Sequence, residues 1–479
     1  MDGRLIQQIV AIIERDLRRR ISPELTTASA RLQIDHMSRL LQWISAQVGE
    51  HDTLESAHGQ ALQILLGSER LPAVPRAFYE PQAVPAEIEM LRRVAAAPAS
   101  DGSLFDRYVE IEKTFVESLD AEGGKGFGDV YQGGKRAGVK EEALPTCDAP
   151  TLTKYLQERF DAPGAAASGV TPLAGGFGKD TVLFTIEGCG AFDGRAVIRK
   201  DFFVRPGPTP VTSEFQLLRS LHDLDFPVAE PLWSEPDAAI VGGPFIVSRC
   251  VDGDSAASGW QDSPELRRHF VDKFASLLAR LHGLTADRVL GLGDLGMRTA
   301  VQNYMKLYYD HYRARARTVS GRIEAGFAWL AANLVATDDR PASLVHGDVG
   351  FHNILMKAGE INALLDWEFA HFGDPAEDIG YCWQFIETLV SWDDFMAMYA
   401  AHGGTPVSYE LASFYRVWGD IRNAAMGVGA LGTIELSDEA DIRSPSCALA
   451  FGPLLELQAL TGAAQWNTRN HAVSAGPVG

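Results

Sequence analysis

The β-rich runs of this 479-residue chain are concentrated in one block, which has helical patterns on both sides. Three runs separated by Gly-containing turns (VTPLAG, TVLFTIEG and RAVIRKDF) are followed by an amphipathic helix, SEFQLLRSLH, and by two more runs, EPLWSE and GPFIVSRCV. Short apolar and β-branched runs bounded by turn residues predict strands. Five strands with one helix after the third predict a small α+β lobe over residues 151–253, and the helical run TLTKYLQERF opens it.

The regions around this block are predominantly helical. Apolar residues recur at helical spacing in residues 1–120, which predicts an all-α N-terminal domain. Residues 121–150 are rich in Gly, Lys and Pro, which predicts a linker. Helical spacing returns over residues 254–479, interrupted by a strand-rich insert at 343–368. The N-terminal domain contains no catalytic pattern. Three roles are open to this domain: it could form a homodimer, cover the active site or bind a partner.

Composition excludes several classes of protein. Lys and Arg total 43 against 63 Asp and Glu, so the net charge is −20 and a nucleic-acid partner is not expected, because phosphate binding needs clustered cations. No apolar run approaches the roughly 20 residues that span a bilayer, so no membrane partner is expected. The five cysteines are scattered, without metal-ligand spacing, which favours a reducing, cytoplasmic location.

The most informative segment is SLVHGDVGFHNILMKAGEINALLDWEFAHFGDPAEDIGY, residues 343–381. The runs NILMK and INALLDW flank Ala358, Gly359 and Glu360, a pattern typical of a β-hairpin. A turn centred between Gly359 and Glu360 would place Asn353 opposite Asp366 at the open end. An amide oxygen and a carboxylate side by side suit a hard cation such as Mg²⁺.

Asp348 lies on the loop that leads into this hairpin, five residues before Asn353. A carboxylate at that place could accept a proton from a substrate hydroxyl. Phosphoryl transfer needs a base that orients the nucleophile. It also needs groups, such as an amide and an acid, that hold metal ions at the nucleotide phosphates. The segment therefore predicts a phosphotransferase site with Asp348 as the catalytic base and Asn353 and Asp366 as metal ligands.

The same residues resemble a known family. The pattern HGDxxxxN from His346 to Asn353, the DWE at Asp366 and the following GDPxxD are similar to those of the aminoglycoside phosphotransferase family of the kinase-like superfamily, and to the kinase-like domains joined to some acyl-CoA dehydrogenases. The resemblance covers about residues 151–418. It implies a bilobal protein-kinase-like fold, ATP or GTP as donor, Mg²⁺, and a supporting role for His346 and Asp378.

The resemblance also implies nucleotide contacts in the smaller lobe. Arg199 stands where kinases anchor the phosphates with a lysine, and Lys200 is the alternative, on the opposite face of the strand. Glu214 opens the next helix as the partner of that cation. The phosphate-covering turn is expected at Gly175, Gly176, Phe177, Gly178 and Lys179, because glycines let the backbone approach phosphates closely. Ser248 and Cys250 are expected at the purine-binding hinge.

A second glycine-rich segment competes for the role of phosphate loop. GKGFGDVYQGG at residues 124–134, with Lys140 downstream, resembles the glycine-rich loop of protein kinases. It lacks one residue between the second Gly and the Phe, its flanks are not strand-like, and choosing it would leave the strands at residues 169–251 without a role. We therefore predict the phosphate-covering turn at residues 175–179 and treat the earlier segment as a linker or lid.

The acceptor is a small molecule with a hydroxyl group, but the sequence does not choose among an aminoglycoside, a hydroxyacyl thioester and another metabolite. Aromatic residues after Trp367 could line a pocket for an apolar body. Two alternatives remain: a nucleotide-binding module that has lost catalysis, and a kinase that acts on a protein. The intact Asp348, Asn353 and Asp366 argue against the first, and the missing HRD loop and activation segment argue against the second.

Overall fold

The computed structural model of the chain describes residues 57–63, 65, 84–97, 102–123, 147–173, 178–256, 263–290, 296–316, 319–334, 340–436 and 443–474. Several sequence predictions lie outside these ranges: the helices expected before residue 57, the glycine-rich segment at 124–134 with Lys140, and the turn residues Gly175, Gly176 and Phe177.

Helices account for most of the described chain. In chain order they are α1 (Ala86–Ala96), α2 (Gly102–Gly123), α3 (Ala149–Phe160), α4 (Glu214–Asp223), α5 (Pro264–His282), α6 (Ala286–Leu290), α7 (Met297–Arg315), α8 (Gly321–Asn333), α9 (Ala376–Ile386), α10 (Trp392–Ala401), α11 (Tyr409–Leu436) and α12 (Arg443–Ser474). Local sequence explains several starts. The Asp148 carboxylate caps α3 by accepting the N–H of Thr151 at 2.9 Å, and Ser263 caps α5 in the same way.

The smaller lobe contains the predicted five-stranded sheet. Its strands are β1 (Ala166–Pro172), β2 (Lys179–Glu187), β3 (Gly194–Asp201), β4 (Pro231–Glu235) and β5 (Phe245–Arg249). They are antiparallel and lie in the order β1-β2-β3-β5-β4. The inward alternate residues of these strands, such as Phe184, Ile198 and Val247, form one core with Leu152 and Leu156 of α3.

The strand-rich insert of the larger lobe forms two small sheets. The insert contributes β7 (Ser343–Val345), β8 (Ile354–Lys357) and β9 (Glu360–Leu364), and two strands outside it are β6 (Asp254–Ser255) and β10 (His371–Gly373). They pair as β6-β8-β9 and β10-β7. The predicted hairpin is therefore present as β8 and β9. A cluster of buried side chains from α5, β8, β9 and α9, including Phe274, Ile354 and Ile379, packs beneath it and fixes its position.

The predicted register of this hairpin was wrong. Lys357 pairs with Glu360, so the loop is the two residues Ala358 and Gly359, whose φ angles of 52° and 84° are those of a turn with both residues left-handed. A register shift then separates Met356 from Leu355. Leu365, not Asp366, consequently stands opposite Asn353, and its N–H donates to the Asn353 carbonyl at 2.7 Å.

The described N-terminal helices share a core with the larger lobe. Leu91 of α1 and Tyr108 of α2 lie in the same buried cluster as Tyr309 of α7 and Trp329 of α8. Helices α1 and α8 approach closely at Gly321, where a Cβ would lie 2.9 Å from Leu91 Cδ1. The predicted bounds of an N-terminal domain, a linker and two lobes stay predictions, as does a homodimer contact. Helices α1 and α2 nevertheless share a core with helices of the larger lobe.

A buried charge cluster also fixes α1 to the larger lobe. Glu324 of α8 is fully buried and accepts hydrogen bonds from Arg92 of α1 at 2.5 and 2.9 Å and from Arg313 of α7 at 2.7 Å. The Arg92 guanidinium also donates to the Tyr309 hydroxyl at 3.0 Å. We call Arg92, Tyr309, Arg313 and Glu324 the helix-anchoring cluster.

Candidate active site

The loop between β7 and the hairpin is held by a buried acid at the start of α9. Asp378 is fully buried and accepts the backbone N–H groups of His346 and Gly347, both at 2.8 Å, and its carboxylate also contacts His282 Nε2 at 3.1 Å. Burial alone would raise the pKa of Asp378, but these hydrogen bonds outweigh it and lower that pKa. Asp378 is therefore an ionised support for the loop.

Glycine is required at position 347 of this loop. Its φ is +80°, and a Cβ there would lie 2.8 Å from the Phe369 carbonyl oxygen. The Gly347 carbonyl accepts a 2.6 Å hydrogen bond from Arg422 of α11, a contact that sequence reasoning missed because nothing local marks it. Asp378 and Arg422 therefore hold the N–H and the carbonyl of Gly347, the residue that precedes Asp348.

Asp348 is oriented by Asn353. The Asn353 side-chain nitrogen donates to the Asp348 backbone oxygen at 2.9 Å and to its carboxylate at 3.0 Å. The Asp348 side chain is 19% exposed, so it can be reached by an acceptor. Both of these contacts use the amide nitrogen of Asn353 and leave its amide oxygen Oδ1 out of them.

Asp366 follows β9 in an unusual backbone conformation. Its φ is +64°, a region that residues other than glycine rarely occupy and that is often found at functional sites. The preceding carbonyl, of Leu365, is hydrogen-bonded to His346 Nε2 at 2.9 Å. One carboxylate oxygen of Asp366 bonds Arg199 Nη2 at 2.7 Å. The hairpin in the larger lobe is thus in direct contact with the sheet of the smaller lobe.

Arg199 and Lys200 point to opposite faces of β3, as alternation along a strand requires. Arg199 faces Asp366 and Glu214, whereas Lys200 contacts Asp180 at 3.2 Å on the other face. Arg199 Nη1 lies 4.0 Å from Glu214 Oε2. A closer cation to Glu214 is Lys179, at 3.2 Å.

Lys179 connects Glu214 to a residue whose role sequence reasoning missed. Its ammonium lies 2.5 Å from Glu368 Oε2, and its side chain is only 6% exposed. Glu368 stands two residues after Asp366, in the DWE motif, and that spacing was the available sign that the two carboxylates face the same lobe. We call Lys179, Arg199, Glu214, Asp366 and Glu368 the interlobe ion cluster.

The charges in this cluster perturb each other. Burial alone would lower the pKa of Lys179 and of Arg199, but the neighbouring carboxylates outweigh it and raise both pKa values. Burial alone would raise the pKa of Asp366, but the charges of Arg199 and Lys179 lower it. For Glu368, burial and the charge of Asp366 prevail over Lys179 and raise the pKa. Two cations thus face three acids, and the pKa is raised for Glu368 but lowered for Asp366.

The predicted hinge residues lie at the end of β5. Ser248 is buried between Val197 of β3 and Pro231 of β4. The Cys250 N–H donates to the Arg195 carbonyl at 3.0 Å, so it is engaged within the smaller lobe rather than free for a purine. The predicted turn residue Gly178 lies over Glu368, because a Cβ on it would be 3.1 Å from Glu368 Oε2.

The donor set can hold Mg²⁺. Asn353 Oδ1 and the carboxylate oxygen of Asp366 that is not bonded to Arg199 are both hard oxygen donors, the type that Mg²⁺ prefers. Within the described ranges no three His, Cys, Asp or Glu side chains form a metal site. Magnesium commonly takes one or two protein ligands and completes its shell with phosphate oxygens and water, so two donors are sufficient.

Comparison with known proteins identifies the class. The family model described as "Phosphotransferase enzyme family", APH, matches residues 169–422. This match covers more than half of the chain, and the chain belongs to that family. The predicted resemblance to the aminoglycoside phosphotransferase family is therefore confirmed, and Asp348, Asn353, Arg199 and Glu214 all lie inside the matched range.

Curated relatives also match part of the chain. The chain is 29% identical over 293 residues to acyl-CoA dehydrogenase family member 11 of Mus musculus, a match that covers 57% of this chain and 36% of that protein. It is 31% identical over 186 residues to the protein of the same name from Gallus gallus, with 38% of this chain and 23% of that protein covered. The matched part thus spans about a third or less of these relatives.

A solved structure shares the fold. A protein from Ralstonia eutropha JMP134, proposed to be an aminoglycoside phosphotransferase, superimposes with a TM-score of 0.50 at 18% identity and covers 66% of this chain and 98% of its own. The predicted kinase-like fold, with a five-stranded smaller lobe and a helical larger lobe, is confirmed. Among the described helices, none is long and apolar enough to cross a membrane.

Proposed function

We propose that this protein is a small-molecule kinase that transfers the γ-phosphate of ATP to a substrate hydroxyl with Asp348 as the base. The observation that carries the proposal is the double contact of Asn353 with Asp348, at 2.9 and 3.0 Å. It holds the Asn353 amide against the Asp348 carboxylate, so the residue we assign as metal ligand adjoins the residue we assign as base.

In the proposed reaction, Asp348 takes the proton of the acceptor hydroxyl. The acceptor oxygen attacks the γ-phosphorus, its proton passes to the Asp348 carboxylate, and the bond between the γ-phosphorus and the bridging oxygen of the nucleotide breaks. Asn353 and Asp366 would hold Mg²⁺, which when bound neutralises charge on the phosphates. The protein otherwise contributes position and electrostatic stabilisation.

Arg199 is the cation we assign to the phosphates. It bonds Asp366 at 2.7 Å and lies near Glu214, which directs the guanidinium toward the cleft between the lobes. Lys179 is held by Glu214 and Glu368, and it is the second cation that phosphates could recruit. Both are consistent with a nucleotide bound between the sheet and the hairpin, and ATP is the donor we propose to test first.

Purified protein mixed with ATP, Mg²⁺ and pooled hydroxyl compounds tests this proposal. ADP release above the rate without acceptor, and one pooled compound that gains the mass of a phosphate, are the expected results. EDTA should stop both. If ATP binds without any dependence on Mg²⁺ and no compound gains phosphate, the non-catalytic alternative is favoured, and phosphate appearing on a protein in trans would favour a protein kinase.

A further inference from the structure

A cleft of about 990 Å³ lies between the larger lobe and helix α2. Val109 and Lys113 of α2, Trp383 of α9, Ser413 of α11 and Thr461 of α12 are among the residues that line it. Small-molecule sites typically enclose roughly 300–1,000 Å³. We call it the α2 cleft. Helix α2 lies before residue 169, where the family match begins.

Two of the helices that line the α2 cleft, α9 and α11, also contact the catalytic loop. Gly380 and Trp383 line the cleft and flank Tyr381 on α9. The Tyr381 phenol faces Asp348, whose charge adds to burial in raising the phenol pKa. Asp420 of α11 also lines the cleft, two residues before Arg422, which bonds the Gly347 carbonyl at 2.6 Å. Helices α9 and α11 therefore line the cleft and also contact the loop that carries the proposed base.

The lining of the cleft suits an apolar body. Trp383 and Trp392 meet edge to face with ring centroids 5.0 Å apart, and Trp392 meets Tyr409 in the same way at 5.1 Å. These three rings and Trp466 all line the cleft. Aromatic rings that stack with each other and stay partly exposed give an apolar ligand a large contact area.

The charges that line the cleft do not suit an anion. Six lining residues are acidic and three are basic. Each basic side chain already has a partner: Arg416 lies 3.6 Å from Asp420, Lys113 lies 4.0 Å from Glu110, and Arg469 lies 5.0 Å from the centroid of the Tyr409 ring. An anionic ligand would meet an excess of negative charge and would have to displace these contacts.

We propose that the α2 cleft is the acceptor site, that helix α2 forms one of its walls, and that the acceptor is an alcohol with an extended apolar body and no negative charge. This inference rests on the proposed function, since it names the acceptor of the same reaction. It assigns the N-terminal helices a direct part in substrate selection.

The first test measures binding and does not require phosphoryl transfer. N-phenyl-1-naphthylamine, a neutral apolar fluorophore, is expected to bind the wild-type protein. Three competing alcohols share a ten-carbon chain and differ in charge: 1-decanol is neutral, 10-hydroxydecyl-trimethylammonium is cationic and 10-hydroxydecanoate is anionic. The neutral and cationic alcohols should displace the fluorophore at concentrations at least tenfold lower than the anionic one. Equal or better displacement by the carboxylate would overturn the assignment of acceptor class.

Two substitutions test the walls. Glu110→Trp on α2 and Ser413→Trp on α11 should each fill the cleft and weaken fluorophore binding at least tenfold. Arg107→Trp is the matched control, since Arg107 is exposed on α2 but does not line the cleft. Melting temperatures identify any variant that fails to fold. Unchanged binding by both folded wall variants, or no binding to wild type, would overturn the inference.

Phosphate transfer from radiolabelled ATP to the same alcohols separates the two proposals. If the proposed function and the inference both hold, the neutral and cationic alcohols gain phosphate, and the wall variants lose at least tenfold in kcat/KM while their ATP affinity is unchanged. If transfer occurs and neither wall variant alters it, the cleft assignment fails alone. If the fluorophore binds in the cleft but Mg²⁺-dependent ATP binding is absent, the proposed function fails alone.

Discussion

The interlobe ion cluster and the helix-anchoring cluster use the same residue types but differ in how completely their charges are satisfied. In the interlobe cluster, three carboxylates face two cations, and Asp366 is 32% exposed. Glu214 has ion-pair contacts at 3.2 and 4.0 Å, yet neither of its oxygens makes a well-aligned hydrogen bond with a described group. The helix-anchoring cluster is closed to solvent, and its Glu324 carboxylate accepts from two arginines.

This difference separates a site from a structural element. A buried carboxylate with all its hydrogen bonds made is costly to disturb, because removal of one partner leaves a charge without compensation. A cluster with excess negative charge, exposed oxygens and contacts across two lobes has room for additional cations and phosphates. We therefore expect substitutions in the interlobe ion cluster to alter activity and ligand affinity, and substitutions in the helix-anchoring cluster to alter folding stability.

The largest effect is expected beside the interlobe cluster, at the proposed base. Asp348→Asn should lower turnover by about 10²–10⁴ while the ATP dissociation constant and melting temperature change little. Steady-state kinetics on the acceptor found by screening, with Asp393→Asn as an exposed aspartate control, measures this. Turnover close to that of wild type would remove Asp348 from the role of base.

The helix-anchoring cluster should respond in stability. Glu324→Gln leaves Arg92 and Arg313 buried without their carboxylate, so the free energy of unfolding should fall by about 3–5 kcal/mol. Glu89→Gln is the control, because Glu89 contacts Arg92 but is 34% exposed, and its loss should cost about 0–1 kcal/mol. Urea unfolding measures the free energy of unfolding of both variants. Equal, small losses of stability in Glu324→Gln and Glu89→Gln would contradict the distinction between the two clusters.

The two faces of β3 give a sharper comparison. Arg199→Met should weaken ATP binding roughly 10- to 100-fold, the range expected for a lost hydrogen bond to a charged group. Lys200→Met, one residue along, removes a cation that contacts Asp180 instead and should leave ATP affinity within about twofold. Calorimetric titration with ATP compares them. A larger effect at Lys200 would mean that the phosphate cation had been assigned to the wrong face.

The smallest effect concerns a carboxylate in the α2 cleft that reduces stability. Burial raises the pKa of Asp420 from 3.8 to about 6, with Arg416 acting against it. The folded protein therefore holds a proton that the unfolded chain has lost between about pH 4 and pH 6, so stability falls as pH rises through this window. At pH 7, Asp420→Asn should be more stable than wild type by about 1–3 kcal/mol.

The difference between Asp420→Asn and wild type should disappear below about pH 4, where both states of the wild-type chain are protonated. Urea unfolding at pH 4, 5, 6 and 7 follows it. A variant that is less stable than wild type at pH 7 would show that Asp420 contributes favourable interactions beyond its pairing with Arg416.

Local patterns predicted the elements that hold the site. Alternation predicted β3 and the opposite faces of Arg199 and Lys200, and turn residues predicted the hairpin of β8 and β9. The register was wrong because the sequence does not show that Ala358 adopts a left-handed conformation, which moves the turn by one residue. Asn353 and Asp366 are therefore not paired across the hairpin, although that pairing was the reason to expect them side by side. Their assignment as metal ligands stays a prediction.

Contacts between distant elements could not be predicted from one sequence. Lys179 and Glu368 are 189 positions apart, and Arg422 meets Gly347 across 75. These contacts depend on how the lobes and helices pack, and periodicity carries no information about that. For the same reason, the helical pattern of residues 86–123 gave no indication that α1 and α2 pack on the larger lobe.

The most direct test of the central claim is ATP affinity with and without Mg²⁺, compared between wild type and Asp366→Ala by calorimetry. Loss of groups that merely support a metal ligand costs 10–100-fold, so loss of the ligand itself should cost roughly 100-fold or more. We predict that Mg²⁺ strengthens ATP binding to wild type and not to the variant. An Asp366→Ala protein that keeps the Mg²⁺-dependent affinity of wild type would contradict the account.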